Sequence, residues 1–362
     1  MAKICFLADV DSIHTRKWVD YFSNFNNEIF IISMRDTNYK YRKNVKVIII
    51  EPPFKSKLSY FFIVKQIKKL IFEIKPDILH SHYATSYGLY GRMSGYHPFI
   101  ISVWGSDVYE FPRSNSLKAK LLSYILNGAD AVCSTSADMA KETGKYCSKK
   151  EITITPFGVD IDKFNVKVPV LKNEYVTIGV IKNLHKIYGI EYLVKAFEAL
   201  LKETNKDIRL MIIGHGSERG NLEKLCDDLK ISSKVTFTGN IDNTKVSDYI
   251  NRMDIVCIPS LSESFGVAAV EACACGRPVV STNVGGLKEI VFDDYNGYTV
   301  DPCNSELLKE KLKILIENED KVKSFSVNAR KLVEEKYNWI ENARIMKNLY
   351  DKIATTGGTM DG

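Results

Sequence analysis

The sequence has 362 residues, 45% of them hydrophobic and 26% charged, with a formal net charge of +6 at pH 7. These values are typical of a globular chain long enough for two domains, and they exclude a collagen-like or highly charged disordered protein. Because no run of about 18 apolar residues occurs, the sequence predicts no membrane-spanning helix. Residues 1–10 predict a strand rather than a signal peptide, so we expect a cytoplasmic protein.

The first half of the chain alternates short apolar runs with segments of helical periodicity. Predicted strands cover residues 3–10, 28–34, 45–51, 77–82, 99–104 and 131–134, and predicted helices include 15–23, 58–74 and 117–126. Strands that alternate with helices in this way form a parallel sheet with helices on both faces. The sequence therefore predicts a doubly wound α/β domain over residues 1–168.

Residues 35–75 hold 11 Lys and Arg against 3 Asp and Glu, interleaved with aromatic residues. A basic segment of this kind can contact nucleic acid, anionic lipid or a phosphorylated substrate. Within it, residues 57–75 predict a helix with Lys65, Lys68 and Lys69 on a basic side. Such a helix can lie in a membrane interface, and it can equally be an ordinary amphipathic helix packed on the sheet.

The second half repeats the alternation after a break near residues 163–174. Predicted strands cover 176–180, 210–213, 235–238, 255–259, 279–281 and 298–300, and predicted helices include 190–203, 222–229, 246–253 and 306–316. This pattern predicts a second doubly wound domain over residues 169–338, with ligand at the carboxyl ends of its strands. A final helix over 339–354 and a disordered tail over 355–362 complete the predicted organisation.

Two carboxylates follow the predicted strand 255–259. Glu263 lies in the loop after the strand, and Glu271 lies in a helix that begins near Gly266. A helix N-terminus presents unpaired N–H groups and the positive end of the helix dipole, which together bind a phosphate. The sequence therefore predicts an anion site flanked by two carboxylates, with Phe265, Gly266 and Val267 beside it.

This arrangement resembles the E-x7-E signature of the retaining glycosyltransferases of family 4, and the second half resembles that family over most of its length. The resemblance implies a GT-B fold, with two Rossmann-like domains facing a central cleft and a last helix that packs back on the first domain. It implies that Glu263 acts on the donor sugar and that Glu271 binds the ribose of the nucleotide. It also implies a nucleotide-sugar substrate, with no metal ion and no other cofactor.

The same resemblance implies further donor contacts in the second domain. Lys182 and Lys186 are implied as the cations for the diphosphate, although Lys186 stands one residue before the family's position. Other implied contacts are Gly214, Gly216, Phe237, Gly239, Gly285 and Gly286. Gly214 and Gly216 also resemble a dinucleotide-binding loop, but the strand that follows ends in Gly239-Asn240 without the acidic residue that such a loop requires.

The first domain carries candidate contacts for the acceptor or the sugar. The turn from Trp104 to Asp107 resembles the family's H-G-x-D turn, which implies a catalytic role for Asp107 and puts Trp104 where the family often has His. The other candidates are His14 and Arg16, in the segment after the first strand, and His82, at the end of the fourth.

Two pairs of residues leave alternatives open. His80 and His82 lie two residues apart at the end of a strand, and we expect only one of them to face a ligand. Asp9 and Asp11 form a D-x-D pattern, which binds a metal in the other large glycosyltransferase fold. Their position at the end of the first strand is far too early for that fold, and we expect no metal there.

The sequence predicts a retaining, metal-independent glycosyltransferase of the bacterial surface-polysaccharide type. Its donor is expected to be a nucleotide sugar, in particular a UDP-sugar, and its acceptor a saccharide or a lipid-linked saccharide. A sugar-nucleotide 2-epimerase of the same fold and a non-catalytic nucleotide-sugar binder are the alternatives. No nucleic-acid partner is expected, and residues 57–75 give a hypothesis of peripheral attachment to the inner face of the cell membrane.

Overall fold

The structure is a computed structural model that describes residues 2–51, 59–148 and 151–357. Contacts between residues divide the chain into two compact units, Met1–Pro156 with Glu341–Gly362, and Phe157–Ile340. Each unit contains one parallel sheet, and right-handed crossovers between parallel strands place helices on both faces of such a sheet. The predicted pair of doubly wound α/β domains is therefore confirmed.

The first unit contains a seven-stranded sheet. Its strands are β1 Lys3–Leu7, β2 Glu28–Ser33, β3 Val45–Ile49, β4 Ile78–His82, β5 Phe99–Val103, β6 Ala131–Ser134 and β7 Ile152–Ile154, in the spatial order β3-β2-β1-β4-β5-β6-β7. Its helices are α1 Ile13–Ser23, α2 Ser59–Ile74, α3 Tyr87–Ser94, α4 Ser106–Tyr109, α5 Ser116–Leu126 and α6 Ala137–Gly144. The central strands are covered on both faces, which is why they are continuously apolar rather than alternating.

The second unit contains a six-stranded sheet. Its strands are β8 Val176–Ile181, β9 Ile208–Ile213, β10 Val235–Gly239, β11 Ile255–Ile258, β12 Val279–Thr282 and β13 Gly297–Val300, in the spatial order β10-β9-β8-β11-β12-β13. Its helices are α7 Ile190–Glu203, α8 Arg219–Asp228, α9 Val246–Ile250, α10 Val267–Ala274, α11 Ser305–Glu317 and α12 Glu319–Lys336. The last helix, α13 Trp339–Gly357, begins in this unit and continues into the first.

Each sheet reverses its strand order at one place. In the first sheet the order reverses between β1 and β4, and in the second it reverses between β8 and β11. The loops that leave the carboxyl ends of two such strands diverge to opposite faces, which opens a crevice between them. The candidate residues of each unit gather at these two places.

The boundary between the units lies after Pro156, whereas the sequence predicts it after residue 168. Backbone groups of the intervening segment are held by the second unit. The guanidinium of Arg330 donates to the carbonyl of Phe164 at 2.8 Å, and the side chain of Asn251 accepts from the N–H of Lys167 at 2.8 Å. Side chains far along the chain supply these bonds, so the local loss of periodicity near residue 163 does not reveal them.

The C-terminal helix packs within the first unit through its second half. The hydroxyl of Tyr350 lies 2.5 Å from Nδ1 of His80, and its ring stacks on Phe22 with 4.7 Å between centroids. The helix continues through residues 355–357, which the sequence assigns to a disordered tail, and the predicted tail residues 358–362 lie outside the described residues.

None of the helices in the described ranges combines the length and the apolar content that crossing a bilayer requires. Strand β7 and helices α3, α6 and α12 are absent from the elements that the sequence predicts. Of the longest of these, α12, only five residues are buried, which gives a weak apolar pattern.

Candidate functional site

The crevice in the second unit brings together a cation and an anion from two neighbouring strands. Lys182 follows β8 and Glu263 lies in the loop after β11. The ammonium of Lys182 forms an ion pair with Oε2 of Glu263, and the two side chains are only 12% and 13% exposed. Ser260 donates a second hydrogen bond to the same carboxylate oxygen at 3.3 Å. The ring of Tyr188 lies 4.9 Å from the ammonium nitrogen and covers the lysine from one side.

An ion pair that is this well shielded is not retained for stability alone, because removing two charges from water costs several kcal/mol per ion. The ion pair fixes the positions of the two side chains. Lys182 and Glu263 hold each other in defined places at the mouth of the crevice. A charged or polar ligand that enters there meets a cation and a carboxylate whose side chains need little further ordering.

Helix α10 begins beside the Glu263 loop. Gly266 precedes the helix with φ +102°, a conformation that only glycine adopts at low cost. In this described segment, α10 has no side-chain cap and no acidic residue in its first turn. Its first N–H groups therefore need an acceptor, and an anion is the ligand that such a terminus favours. Val267 is the first residue of the helix.

Four of the candidate glycines hold two loops against the backbone of the site. A Cβ atom on Gly285 would lie 1.6 Å from the carbonyl oxygen of Glu263, and one on Gly286 would lie 2.5 Å from that of Phe265. A Cβ atom on Gly214 would lie 1.9 Å from the carbonyl oxygen of Lys182. Glycine is required at these positions because the backbones approach each other directly, with no space for a side chain.

The remaining glycine of this group acts in the same way. A Cβ atom on Gly216 would lie 2.2 Å from the carbonyl oxygen of Leu184. Beside it, the N–H of Gly214 donates to the carbonyl of Gly239 at 3.0 Å, which ties the loop to the end of β10. Phe237 is half-buried on β10 and packs against the core of the unit.

Other predicted donor residues lie apart from the ion pair or serve the core. Phe265 is buried and packs edge-on against Phe157 and Tyr337, with centroids 5.9 and 5.8 Å away. Glu271 is half-buried in the second turn of α10. Lys186 is exposed and lines a cavity of about 200 Å³.

The crevice in the first unit contains a pocket of about 480 Å³ at the ends of β1 and β4. Residues on its wall include Asp9, Arg35, His82, Tyr83, Tyr87 and Trp104. His82 is 1% exposed, and its ring lies 4.6 Å from that of Trp104. Burial lowers the pKa of His82 well below its usual range, and the nearby His80 and His14 lower it further. The imidazole is therefore neutral at physiological pH.

His14 lies at the other side of Trp104, with 5.7 Å between ring centroids. Burial, followed by the charge of Lys17, lowers the pKa of His14 to about 4. His80 lies on the same face of β4, since residues two apart in a strand share a face, and its ring is 4.8 Å from that of His82. It bonds Tyr350 and Ser102 at 2.5 and 2.9 Å. His82, at the carboxyl end of the strand, is the one on the pocket wall.

Asp107 is only 1% exposed, and both of its carboxylate oxygens are bonded to backbone. The N–H groups of Gly105 and Ala84 donate to it at 2.8 Å each, and that of Trp104 donates at 3.2 Å. Burial raises its pKa, although these hydrogen bonds act in the opposite direction. In this structure Asp107 holds together the two loops that carry Tyr83 and Trp104.

The carboxylates of the D-x-D pattern are engaged by arginines. Asp11 forms an ion pair with Arg16, and Asp9 lies 3.3 Å from a guanidinium nitrogen of Arg35. The predicted candidate Arg16 also donates to the hydroxyl of Thr37 at 3.2 Å. One oxygen of each carboxylate therefore has a cationic partner within the protein.

The sequence did not indicate Arg35, Tyr83, Tyr87, Ser260 or Tyr188 as site residues. Tyr83 follows His82 directly, so its position after a strand was the available signal. Ser260 and Tyr188 lie close in sequence to the predicted residues Glu263 and Lys182 that they contact, so that proximity was their signal. Arg35 and Tyr87 meet His82 on the pocket wall only through the fold.

Two family models match the chain. The model described as Glycosyl transferase 4-like matches residues 3–136, and the model described as Glycosyl transferases group 1 matches residues 162–332. An uncharacterized glycosyltransferase of Methanocaldococcus jannaschii is 26% identical over 325 residues, which cover 88% of each chain. The N-acetyl-alpha-D-glucosaminyl L-malate synthase of Bacillus anthracis is 27% identical over 277 residues, covering 72% of this chain and 71% of that protein.

Solved structures resemble the chain over nearly its whole length. The Anabaena protein HepE, in complex with UDP and glucose, superimposes with a TM-score of 0.82 at 16% identity, covering 97% of this chain and 100% of that one. At this identity the likeness bears on the fold alone, and it confirms the predicted GT-B fold. With two glycosyltransferase models matched across both units, the chain belongs to the glycosyltransferases of the GT-B fold.

Proposed function

We propose that the enzyme is a retaining family 4 glycosyltransferase that uses a UDP-sugar as donor and requires no metal ion. The observation that carries this proposal is the shielded pair of Lys182 and Glu263 beside the N-terminus of α10. A cation and a set of N–H donors can bind the diphosphate of a nucleotide sugar, and a carboxylate beside them can orient its sugar. The UDP and glucose bound by Anabaena HepE support a UDP-sugar as the donor.

In the proposed reaction, Lys182 and the first N–H groups of α10 bind the diphosphate. The bond between the anomeric carbon and the departing phosphate oxygen breaks, and the acceptor oxygen bonds to the same face of that carbon. The acceptor proton passes to the departing phosphate oxygen, so no carboxylate nucleophile is needed. The cation and the amides stabilise the charge that the diphosphate gains. Glu263 orients the sugar, and Glu271 binds the ribose.

The charge of Lys182 serves here in place of a divalent cation. A bound cation lowers the barrier by neutralising the leaving group, and a lysine ammonium and helix amides provide the same kind of stabilisation. Asp9 and Asp11 do not contribute to this chemistry, since they pair with Arg35 and Arg16 in the other unit.

The proposed acceptor is a saccharide or a lipid-linked saccharide in polysaccharide or glycoconjugate synthesis. Helix α2 supports a cytoplasmic enzyme attached to the membrane surface. Its buried side consists of isoleucines, while Phe61 and Phe62 are 69% and 57% exposed. Lys65, Lys68 and Lys69 are exposed on the same helix. Residues 57 and 58 of the predicted helix lie outside the described residues.

Donor turnover with and without acceptors tests the proposal against its alternatives. The protein is incubated with UDP-glucose, UDP-galactose or UDP-N-acetylglucosamine, and thermal shift selects the donor that binds. A ligand at 100 times its Kd stabilises the folded state by about 2.7 kcal/mol. Transfer to an added saccharide supports the glycosyltransferase, release of an epimerised sugar without acceptor supports the epimerase, and binding without turnover supports the non-catalytic binder.

Two variants connect the activity to the site. Glu271→Ala is expected to weaken UDP binding, and Glu263→Gln is expected to lower kcat with UDP binding retained. Each loses a hydrogen bond to a charged group, worth about 1.5–3 kcal/mol, so each effect should be about tenfold or more. Glu335→Gln, an exposed carboxylate on α12, is the matched control. Wild-type kinetics in both site variants would contradict the assignment.

A further inference from the structure

The pocket of the first unit contains a buried hydrogen-bonding atom that no protein group satisfies. Among the described residues, Nε2 of His82 is buried at the pocket wall and has no hydrogen-bond partner. Its other nitrogen, Nδ1, lies 3.2 Å from the hydroxyl of Thr15, which fixes the orientation of the ring. Leaving such an atom unpaired costs about 1–3 kcal/mol, and a ligand hydroxyl in the pocket would remove that cost.

The residue next to His82 has a strained backbone. Tyr83 has φ +79°, which is unfavourable for any residue with a side chain. Its N–H donates to the carbonyl of Ser102 at 2.9 Å, and its hydroxyl bonds Ser106, so the surrounding loops hold it in this conformation. Strain of this kind persists at sites where it positions a functional group. Here it places an aromatic ring on the pocket wall beside Trp104.

A cation lies at the same pocket. Arg35 follows β2 in a turn that is held by Ser33, whose Oγ accepts from the N–H of Arg35 at 3.0 Å and donates to its carbonyl at 2.9 Å. Its side chain is 74% exposed, and one guanidinium nitrogen faces Asp9 at 3.3 Å. A guanidinium has five donors in a planar fork, so this exposed contact leaves capacity for a ligand.

The loop that follows Arg35 adds to the positive charge. Lys40, Arg42 and Lys43 are all exposed in the segment between β2 and β3, whose only acidic residue is Asp36. The segment is held to the neighbouring loop, because the hydroxyl of Tyr41 donates to the carbonyl of Val10 at 2.8 Å. The segment that begins with Arg35 is therefore basic, and Arg35 is its cation on the pocket wall, beside Asp9.

We infer that this pocket binds the acceptor and that Arg35 and His82 select a saccharide that carries a phosphate or a carboxylate. The inference rests on the proposed glycosyltransferase function and names the chemical class of its acceptor. The apolar face of a sugar ring packs on Trp104 and Tyr83, and one hydroxyl bonds Nε2 of His82. The anionic group lies at Arg35. A pocket of about 480 Å³ is within the usual range of small-ligand sites.

Binding of small probes tests the inference without the donor. The probes are glucose, glucose 6-phosphate and glucuronate, which share a ring and differ in charge, and calorimetry gives the Kd of each. The wild-type protein is expected to bind both anionic probes about tenfold more tightly than glucose, because a charge-assisted hydrogen bond is worth about 1.5–3 kcal/mol. Whether glucose 6-phosphate or glucuronate binds more tightly distinguishes a phosphate from a carboxylate.

The variants separate the two recognition groups. Arg35→Ala is expected to abolish the preference for the anionic probes, whereas Arg113→Ala, an equally exposed arginine that pairs with Glu142, should preserve it. His82→Asn retains a group near Thr15 but removes Nε2, so it should weaken all three probes about tenfold. His82→Gln, which returns a polar group near the position of Nε2, should recover part of that loss. The exposed His97→Asn is the control.

The inference is overturned if glucose binds as tightly as the anionic probes, if neither anionic probe binds, or if Arg35→Ala behaves like Arg113→Ala. Labelling with ¹⁵N-histidine adds a readout of the atom itself, because a probe that bonds Nε2 shifts that nitrogen's resonance. UDP binding is measured on the same samples. If the wild-type protein binds UDP but does not prefer the anionic probes to glucose, only the inference is refuted. If it does not bind UDP, the proposed function is refuted.

Discussion

At the scale of single residues, Lys182 and Lys186 come from the same loop but have different surroundings in the structure. Lys182 pairs with Glu263, while Lys186 is exposed on another cavity. Lys182→Ala is therefore expected to lower kcat/KM by about tenfold or more, because it removes the cation that stabilises the leaving group. Lys186→Ala should change it by less than about threefold. Steady-state kinetics compares them, and a larger effect of Lys186→Ala would show that the nucleotide binds on its side of the loop.

A substitution at Gly285 tests the backbone packing around Glu263. A Cβ atom there would lie 1.6 Å from the carbonyl oxygen of Glu263, and φ is +49°. Gly285→Ala must displace the Glu263 loop, so we expect strongly reduced turnover and a lowered Tm. Gly220→Ala, where a Cβ atom meets nothing within 4 Å in helix α8, is the control. It should be neutral or stabilise the protein by up to about 1 kcal/mol. Wild-type turnover in Gly285→Ala would contradict the tight packing.

At the scale of elements, helix α2 divides its side chains between the core and the surface. Ile63, Ile67 and Ile71 are buried at helical spacing, and burying each contributes about 1.5–3 kcal/mol. Burial of these isoleucines explains why α2 packs on the first unit, and no membrane contact is needed to explain it. The aromatic residues on its other face are not needed for that packing, and they are the reason for a membrane test.

Flotation with anionic liposomes decides between the two interpretations of α2. Each Lys near a charged leaflet adds about 1 kcal/mol, so reversing Lys65, Lys68 and Lys69 to Glu should abolish binding at low salt. Reversing Lys195, Lys323 and Lys331, which are exposed on α7 and α12, gives a variant of the same net charge that should still float. If the wild-type protein stays unbound, α2 is an ordinary packed helix.

At the scale of the whole molecule, the first unit should lose stability in mild acid. Burial lowers the pKa of His80 to about 3, while an unfolded histidine titrates near 6.5. Between these values the unfolded chain holds the additional proton, so the free energy of unfolding falls as the pH falls. Urea unfolding at pH 7 and pH 5 measures the change. His80→Gln should show a smaller decrease than wild type. An identical decrease in His80→Gln would contradict the assignment.

The reaction as a whole has two further expected properties. Proton NMR of fresh product should show the anomeric configuration of the donor, because the acceptor attacks the face that the diphosphate leaves. Activity should persist in EDTA, because Lys182 and the α10 amides stabilise the diphosphate. An inverted product would refute the retaining mechanism. Loss of activity on chelation with rescue by Mn²⁺ would require a metal site, for which Asp9 and Asp11 would have to leave their arginines.

The sequence by itself predicted the architecture and one half of the candidate donor site. Alternating apolar and helical runs are local patterns, so they predict parallel strands and crossover helices without knowledge of distant contacts. The same holds for Glu263 and Glu271, because a strand, a loop and a helix N-terminus follow one another in the chain. The positions of the strand ends sufficed to suggest His82.

Only the tertiary structure decided which groups meet. Lys182 and Glu263 are 81 residues apart, and they pair because β8 and β11 are neighbours where the strand order reverses. The division of roles between His80 and His82 depends on Tyr350, which is 270 residues from His80 on the last helix. The two histidines share one face of the strand, so the strand pattern does not tell which partner each of them meets. Those partners come from strand order and helix packing, which local periodicity does not encode.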